Sequence, residues 1–365
     1  MSKDVLVFVG TYTRPAPYIK NGNGQGIYTF RLNTETGALT QVALMEGIDS
    51  PSYLNLDSTG RYLYATSEVW GWHEGLVTAF AVNRASGELT YINKQPTQGS
   101  ITCYVSVEPS GRYVLAANYW DRQSITMFPV RADGGLAPAS STIEHGETPV
   151  GTVPARQEKS HAHSIVPDPT GQRALVCDLG LDKIMVYGLD LANGKFVPND
   201  PPYMRTHPGA GPRHLVFHPN GRFAYVVQEL DSTVSALSYD AATGALEVLQ
   251  TVPALPEGYN GDSTCSDIHI TPDGKYVYAA NRGHDSLAMY AVDQASGHLT
   301  VIGHHTTGGQ IPRGFAIDPT GTFVLAGNQD TDNILVLRID PETGTLSEVR
   351  NVPCPTPVCL KMLSV

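Results

Sequence analysis

"HPNGRFAYVVQE", residues 218–229, holds a turn and a strand in one short stretch. Pro219, Asn220 and Gly221 favour a tight turn, because proline presets φ while asparagine and glycine accept the left-handed backbone. Phe223 to Val227 then form an apolar run of aromatic and β-branched side chains, which suits a buried strand. The preceding "GPRHLVF" (211–217) is a second apolar segment, so the whole reads as a β-hairpin. The same outline returns as "DSTGRYLYATSE" (57–68), "EPSGRYVLAANY" (108–119), "DPTGQRALVCDL" (168–179), "TPDGKYVYAANR" (271–282) and "DPTGTFVLAGNQ" (318–329), with starts 47 to 60 residues apart.

A second signal alternates with the hairpins: "TGAL" (36–39), "SGEL" (86–89), "GGL" (134–136), "NGKF" (193–196), "TGAL" (243–246), "SGHL" (296–299) and "TGTL" (343–346). Runs such as "GIYTFRLNTETGAL" and "NILVLRIDPETGTL" predict a third strand turning into a fourth. Each unit is then a four-stranded antiparallel sheet of about fifty residues, the period of a propeller blade. Six hairpins stand against seven turns, and the chain ends reconcile the counts. "VLVFVGTYT" predicts a second strand lacking its first, and "TPVCLKMLSV" a first strand lacking its second. Paired, they supply a seventh blade and close the ring, which removes open sheet edges. The expectation is one all-β domain over residues 1–365, a seven-bladed β-propeller with four antiparallel strands per blade.

Composition narrows the function. Of 365 residues, 41% are hydrophobic and 16% charged, which fits a buried core rather than disorder. A net charge of −11 argues against nucleic acid or an anionic membrane as partner, since both reward dense lysine and arginine. No apolar run reaches membrane-spanning length. "MSKDVLVFVGTYTR" reads as an initial strand rather than a signal peptide. Cys103, Cys177, Cys265, Cys354 and Cys359 lack the clustering of a metal site, so free buried thiols in a reducing cytoplasm are expected. No cofactor is implied, and oligomeric state is open.

In a propeller, the start of each first strand and the end of each second strand lie on one face, because they are opposite ends of one antiparallel hairpin. Aligned on the turn, the first-strand column reads Ser52, Cys103, His163, Arg213, Ser266, Arg313 and Val358. Two residues earlier stand Ser50, Ile101, His161, Gly211, Thr264, Ile311 and Thr356. The second strands end on Glu68, Tyr119, Leu179, Glu229, Arg282 and Gln329. His161, His163, Arg213, Glu229 and Arg282 are expected to converge at one mouth. A purely structural Arg213–Glu229 pair is the competing reading of those two. His214, His218 and His269 are assigned to structure near the turns. Trp70, Trp72 and Trp120 are either mouth residues or packing.

With these motifs in place, the sequence resembles the bacterial propeller-type 6-phosphogluconolactonases and the related fungal carboxymuconate-lactonising enzymes. The resemblance covers essentially the whole chain and is strongest in "GPRHLVFHPNGRFAYVVQEL" (211–230), "SDIHITPDGKYVYAANRGHDS" (266–286) and "QIPRGFAIDPTG" (310–321). It implies a lactone hydrolase acting on 6-phospho-D-glucono-1,5-lactone. The family's histidine, paired arginines and glutamate match His163 or His161, Arg213, Arg282 and Glu229.

These residue types suit the chemistry. A histidine takes the proton of an attacking water. Glu229 orients a partner, or acts as base if burial raises its pKa. Arg213 and Arg282 hold an anionic substrate and the developing oxyanion, with Arg313 a further candidate for a phosphate. Three alternatives remain at this level. One is cyclisation of a muconate by the same arginines. The second is a metal-dependent lactonase using Glu68, Asp178, Glu229 and Asn118 as cation ligands. The third is a non-catalytic propeller binding a protein or ligand on its face.

Overall fold

A computed structural model of the chain describes residues 4–146 and 151–365. The described residues form seven four-stranded antiparallel sheets and no helix. In six sheets the strands follow one another in chain order. The seventh joins the ends: Pro357–Ser364 pairs with Asp4–Thr11, followed by Gly26–Asn33 and Leu39–Glu46. The first strands of neighbouring blades pack side by side around a central axis. The first three strands of each blade carry most of the core, while fourth strands such as Leu246–Pro253 are largely exposed.

The seven Gly-containing turns hold adjacent blades together. Gly37, Gly87, Gly134, Gly194, Gly244, Gly297 and Gly344 all have φ between 63° and 82°, the left-handed region. Several lie against an aromatic ring of the neighbouring blade; a Cβ on Gly344 would sit 2.3 Å from Tyr276 Cδ1. Their carbonyls also take buried hydroxyls. Tyr64 donates to Gly134 O at 2.9 Å, Tyr225 to Gly297 O at 3.1 Å and Tyr278 to Gly344 O at 2.8 Å. A turn signal inside one blade is thus a fastening point for the next.

The first-strand column has a backbone cause. Ladder pairing skips Cys103, His163, Arg213, Arg313 and Val358, each of which is the extra residue of a β-bulge. In another blade the irregularity spans Ser266 and Asp267. A bulge bends the strand and re-aims the side chain at that point. The column two residues earlier supplies the lock. The N–H groups of Glu68, Tyr119, Leu179, Glu229 and Gln329 donate to the carbonyls of Ser50, Ile101, His161, Gly211 and Ile311, at 2.8–3.0 Å. Each second-strand end is thereby pinned beside its own bulge, and the two columns become one ring of side chains.

Candidate active site

One mouth of the ring opens into a cavity of about 350 Å³, within the range of small-molecule sites. Its lining includes Glu68, His161, His163, Glu229, Arg282 and Arg313 from the repeat columns. Tyr18, Trp70, Trp120 and Arg156 complete it from connecting segments. Trp70 and Trp120 are therefore mouth residues, with ring centroids 6.1 Å apart, whereas Trp72 lies outside, beside Arg14. Arg213 does not line the cavity; it is buried behind Glu229.

Glu229 is the hub. Its carboxylate meets Arg156 Nη2 at 2.5 Å, Arg213 Nε at 2.8 Å and Arg282 Nη2 at 3.0 Å. Burial alone pushes such a carboxyl up, but Arg282, Arg156 and Arg213 together hold it well below 4.5. Of the two roles open to Glu229, this fits the one that orients a partner, as an ionised counter-charge; the role of base needs a raised pKa, which the arginines oppose. Burial, with three neighbouring arginines, pulls Arg282 down to about 10 despite Glu229, so it stays cationic at neutral pH.

Opposite lies a second carboxylate. Glu68 accepts hydrogen bonds from Tyr12 at 2.7 Å, Tyr18 at 3.0 Å and Ser52 at 2.6 Å. Arg313 approaches it only to 3.6 Å and rests over the Tyr12 and Tyr18 rings. No hydrogen bond to a described residue takes up the Arg313 guanidinium donors. Arg156, Arg282 and Arg313 line the cavity with Glu68 and Glu229, and counting Arg213 behind Glu229 and Glu158 beside His161 the cationic groups still outnumber the carboxylates.

The two histidines occupy different environments. His161 Nδ1 meets Tyr119 O at 2.8 Å and Nε2 meets Glu158 Oε1 at 3.0 Å, while its ring stacks on Tyr119. Both nitrogens are therefore engaged by protein atoms, and neither is open to an attacking water. His163 Nδ1 has only Cys103 Sγ, at 3.8 Å, and Nε2 has no hydrogen-bond partner among the described residues. Burial, then Arg213 and His214, lower the His163 pKa well below 6.5, so the ring is neutral. Burial pushes the Cys103 thiol up, which removes it as a nucleophile.

Arg156 and Glu158 were not among the residues expected. They belong to the long connection between Ser141–Ile143 and Ala162–Pro167, which has no counterpart in the repeat. Its length and its lone arginine were the available signals. The cation-site reading loses its ligands. Glu68 and Glu229 face arginines, Asp178 is tied to His145 at 2.6 Å and Ser160 at 2.6 Å, and Asn118 bonds Thr102 and Gln123. Among the described residues, no group of three or more His, Cys, Asp or Glu is arranged to hold a metal ion. All five cysteines are free and buried.

Seven blades around an arginine-rich mouth define the class, and comparison with known proteins agrees. Residues 6–362 match the family model described as lactonase, 7-bladed beta-propeller, and the chain belongs to that family. It is a lactone hydrolase by that membership and by its named relatives. A 6-phosphogluconolactonase of Bacillus subtilis is 38% identical over 315 residues, covering 85% of this chain and 84% of the relative. One from Formosa agariphila is 34% identical over 315 residues, covering 86% of each. The solved structure of a Pseudomonas aeruginosa periplasmic gluconolactonase superposes with a TM-score of 0.91 at 33% identity, over 99% of both chains. Among the described residues, no helix is long and apolar enough to cross a membrane.

Proposed function

We propose that the protein hydrolyses 6-phospho-D-glucono-1,5-lactone to 6-phosphogluconate, with His163 as general base. The observation that carries this reading is one cavity holding a neutral histidine with a free Nε2 and an arginine with uncommitted donors. Arg313 takes the phosphate, whose oxygens suit a planar set of N–H donors. A phosphate also answers the positive excess of the mouth, which an unphosphorylated lactone cannot.

Water attacks the C1 carbonyl and gives its proton to His163 Nε2. The carbonyl oxygen becomes an oxyanion facing Arg282 and Arg156. Collapse breaks the bond from C1 to the ring oxygen, which takes the proton back from His163 as the C5 hydroxyl. The products are a free acid, which ionises, and an opened chain. Glu229, with Arg213 behind it, holds Arg282 and Arg156 in place without touching the proton. A cytoplasmic setting accords with five free, buried thiols.

The test is hydrolysis of freshly made 6-phosphoglucono-lactone beside the unphosphorylated lactone, with a chelator present. The expected result is fast turnover of the phosphorylated compound alone. Equal turnover of both lactones removes the phosphate role of Arg313, and turnover of neither removes the substrate assignment.

A further inference from the structure

His214 and Asp267 lie in the wall of the central channel, below the cavity and outside its lining. The sequence pattern assigned His214 to structure near a turn, yet it sits inside the strand Pro212–Phe217, directly after the bulged Arg213. Neighbours on a regular strand point to opposite faces. The bulge relaxes that rule, and Arg213 Nη1 meets His214 Nε2 at 3.3 Å.

We infer that Asp267 and His214 form a brace that positions Arg213, and through it Glu229, from beneath the active site. A guanidinium only donates, so His214 Nε2 must offer a lone pair and the ring proton must sit on Nδ1. Asp267 fixes that tautomer, because its Oδ1 lies 2.8 Å from His214 Nδ1 and a carboxylate accepts. Asp267 is itself immobilised: its other oxygen faces His269 Nε2 at 3.1 Å and the Phe315 N–H at 3.3 Å. Burial and the adjacent Arg213 bring the His214 pKa down to about 3, against the pull of Asp267, which keeps the Nε2 lone pair available. The ring is wedged edge-on against Tyr53, Tyr104 and His163, with centroids 5.6, 5.2 and 5.2 Å away. Arg213 is thus held by Glu229 above, and its Nη1 by His214 below together with the Ser266 carbonyl, to which it also donates.

His214 does not itself line the cavity; it is a positioning residue acting on Arg213, and its edge-on contact with the His163 ring is one that the His214→Phe variant retains. The catalytic part of the inference rests on the proposed lactone hydrolysis. The tautomer part does not.

The experiment has two readouts on the full chain. Nitrogen-15 NMR of labelled histidine, with the His214→Phe variant giving the assignment, should show His214 neutral with its proton on Nδ1. Its Nε2 resonance should shift in Arg213→Met, and the Nδ1 proton should be lost or exchange-broadened in Asp267→Asn. A proton on Nε2, or an Nε2 resonance indifferent to Arg213→Met, overturns the brace whatever the substrate. In turnover, His214→Phe should lower kcat about tenfold or more in the wild-type background. It should change kcat less than about twofold in the Arg213→Met background, because residues acting through one partner are non-additive. The same fold loss in both backgrounds overturns the inference. Failure of the wild-type chain to turn over the lactone instead overturns the substrate assignment and leaves the NMR result to decide the brace.

Discussion

Replacing Glu229 with glutamine removes one negative charge from the midst of three guanidiniums while preserving shape. The backbone at this position is held independently, by the Glu229 N–H on Gly211 O at 2.8 Å and by the Cys265 N–H on Glu229 O at 3.3 Å. What changes is electrostatic. Arg213 and Arg282 lose a buried partner, and removing one member of a buried ion pair costs about 3–5 kcal/mol. Arg156 adds little to the loss, since its side chain is 37% exposed and water screens that pair. At about 2.1 cal/mol/K per residue, 365 residues give an unfolding entropy of roughly 0.77 kcal/mol/K, so Tm should fall by about 4–7 °C at pH 7.

The pH dependence of that difference has a fixed sign. Glu229 has a folded pKa well below 4.5, so its stabilisation is complete above the unfolded value and disappears as pH falls toward the folded one. The wild-type and Glu229→Gln melting curves should therefore separate fully above about pH 5 and draw together in acid. Loosening Arg282 and Arg156 should also lower kcat/KM about 10²-fold, the scale of a 1 Å misplacement. Paired thermal melts across pH, with lactone hydrolysis at neutral pH, check both. A variant melting within about 1 °C of wild type at pH 7 refutes Glu229 as the counter-charge of this site.

His163→Ala should lower kcat by about 10²–10⁴-fold with a modest change in Tm. His161→Ala removes a stacked, doubly bonded ring and should act mainly on Tm; rates and melts of the two variants separate the roles. Because burial and Arg213 keep His163 neutral, the acid limb of kcat/KM should lie below pH 6.5, and Arg213→Met should move it upward. An acid limb unchanged by that substitution counts against His163 as the titrating group. Arg313→Met should raise KM for the phosphorylated lactone about 10–100-fold, the worth of one or two charged hydrogen bonds, and leave the unphosphorylated lactone unaffected. Gly344→Ala forces a left-handed alanine against Tyr276 and should lower Tm by about 3–7 °C, from roughly 2–5 kcal/mol of backbone and packing cost.

The blades were legible because their determinants are local. Alternating apolar residues and turn glycines recur within each fifty-residue unit, so "TGTL" and "DPTG" announce strands before any tertiary contact is considered. His163, Arg213 and Arg313 were legible as a column because each occupies the same bulge of an equivalent strand. The Arg213–Glu229 pair, at two ends of one hairpin, was legible too; the partnerships that cross between blades were not. Arg156 reaches Glu229 from a connection outside the repeat, and Tyr18 reaches Glu68 from the segment between Asp4–Thr11 and Gly26–Asn33. The same limit applies to the histidines. "HAHS" shows two rings two residues apart, but only the fold shows that His161 has both nitrogens engaged and His163 does not. The contact of His214 with Arg213 was not legible either, because the bulge that turns the two together is a property of strand pairing rather than of residue type.

The joined sheet also sets an order of events. Val9 pairs with Tyr28 across a short connection, but it cannot find Leu360 until all the chain between them has been made, so one edge of Asp4–Thr11 is covered long before the other. Until then one side of Asp4–Thr11 presents bare amides and carbonyls on an apolar strand, a template for association with other chains. Contacts this distant in sequence are also slow to form. The interval between synthesis and closure, more than the finished ring, is where this protein is exposed to aggregation and where a chaperone would act on it.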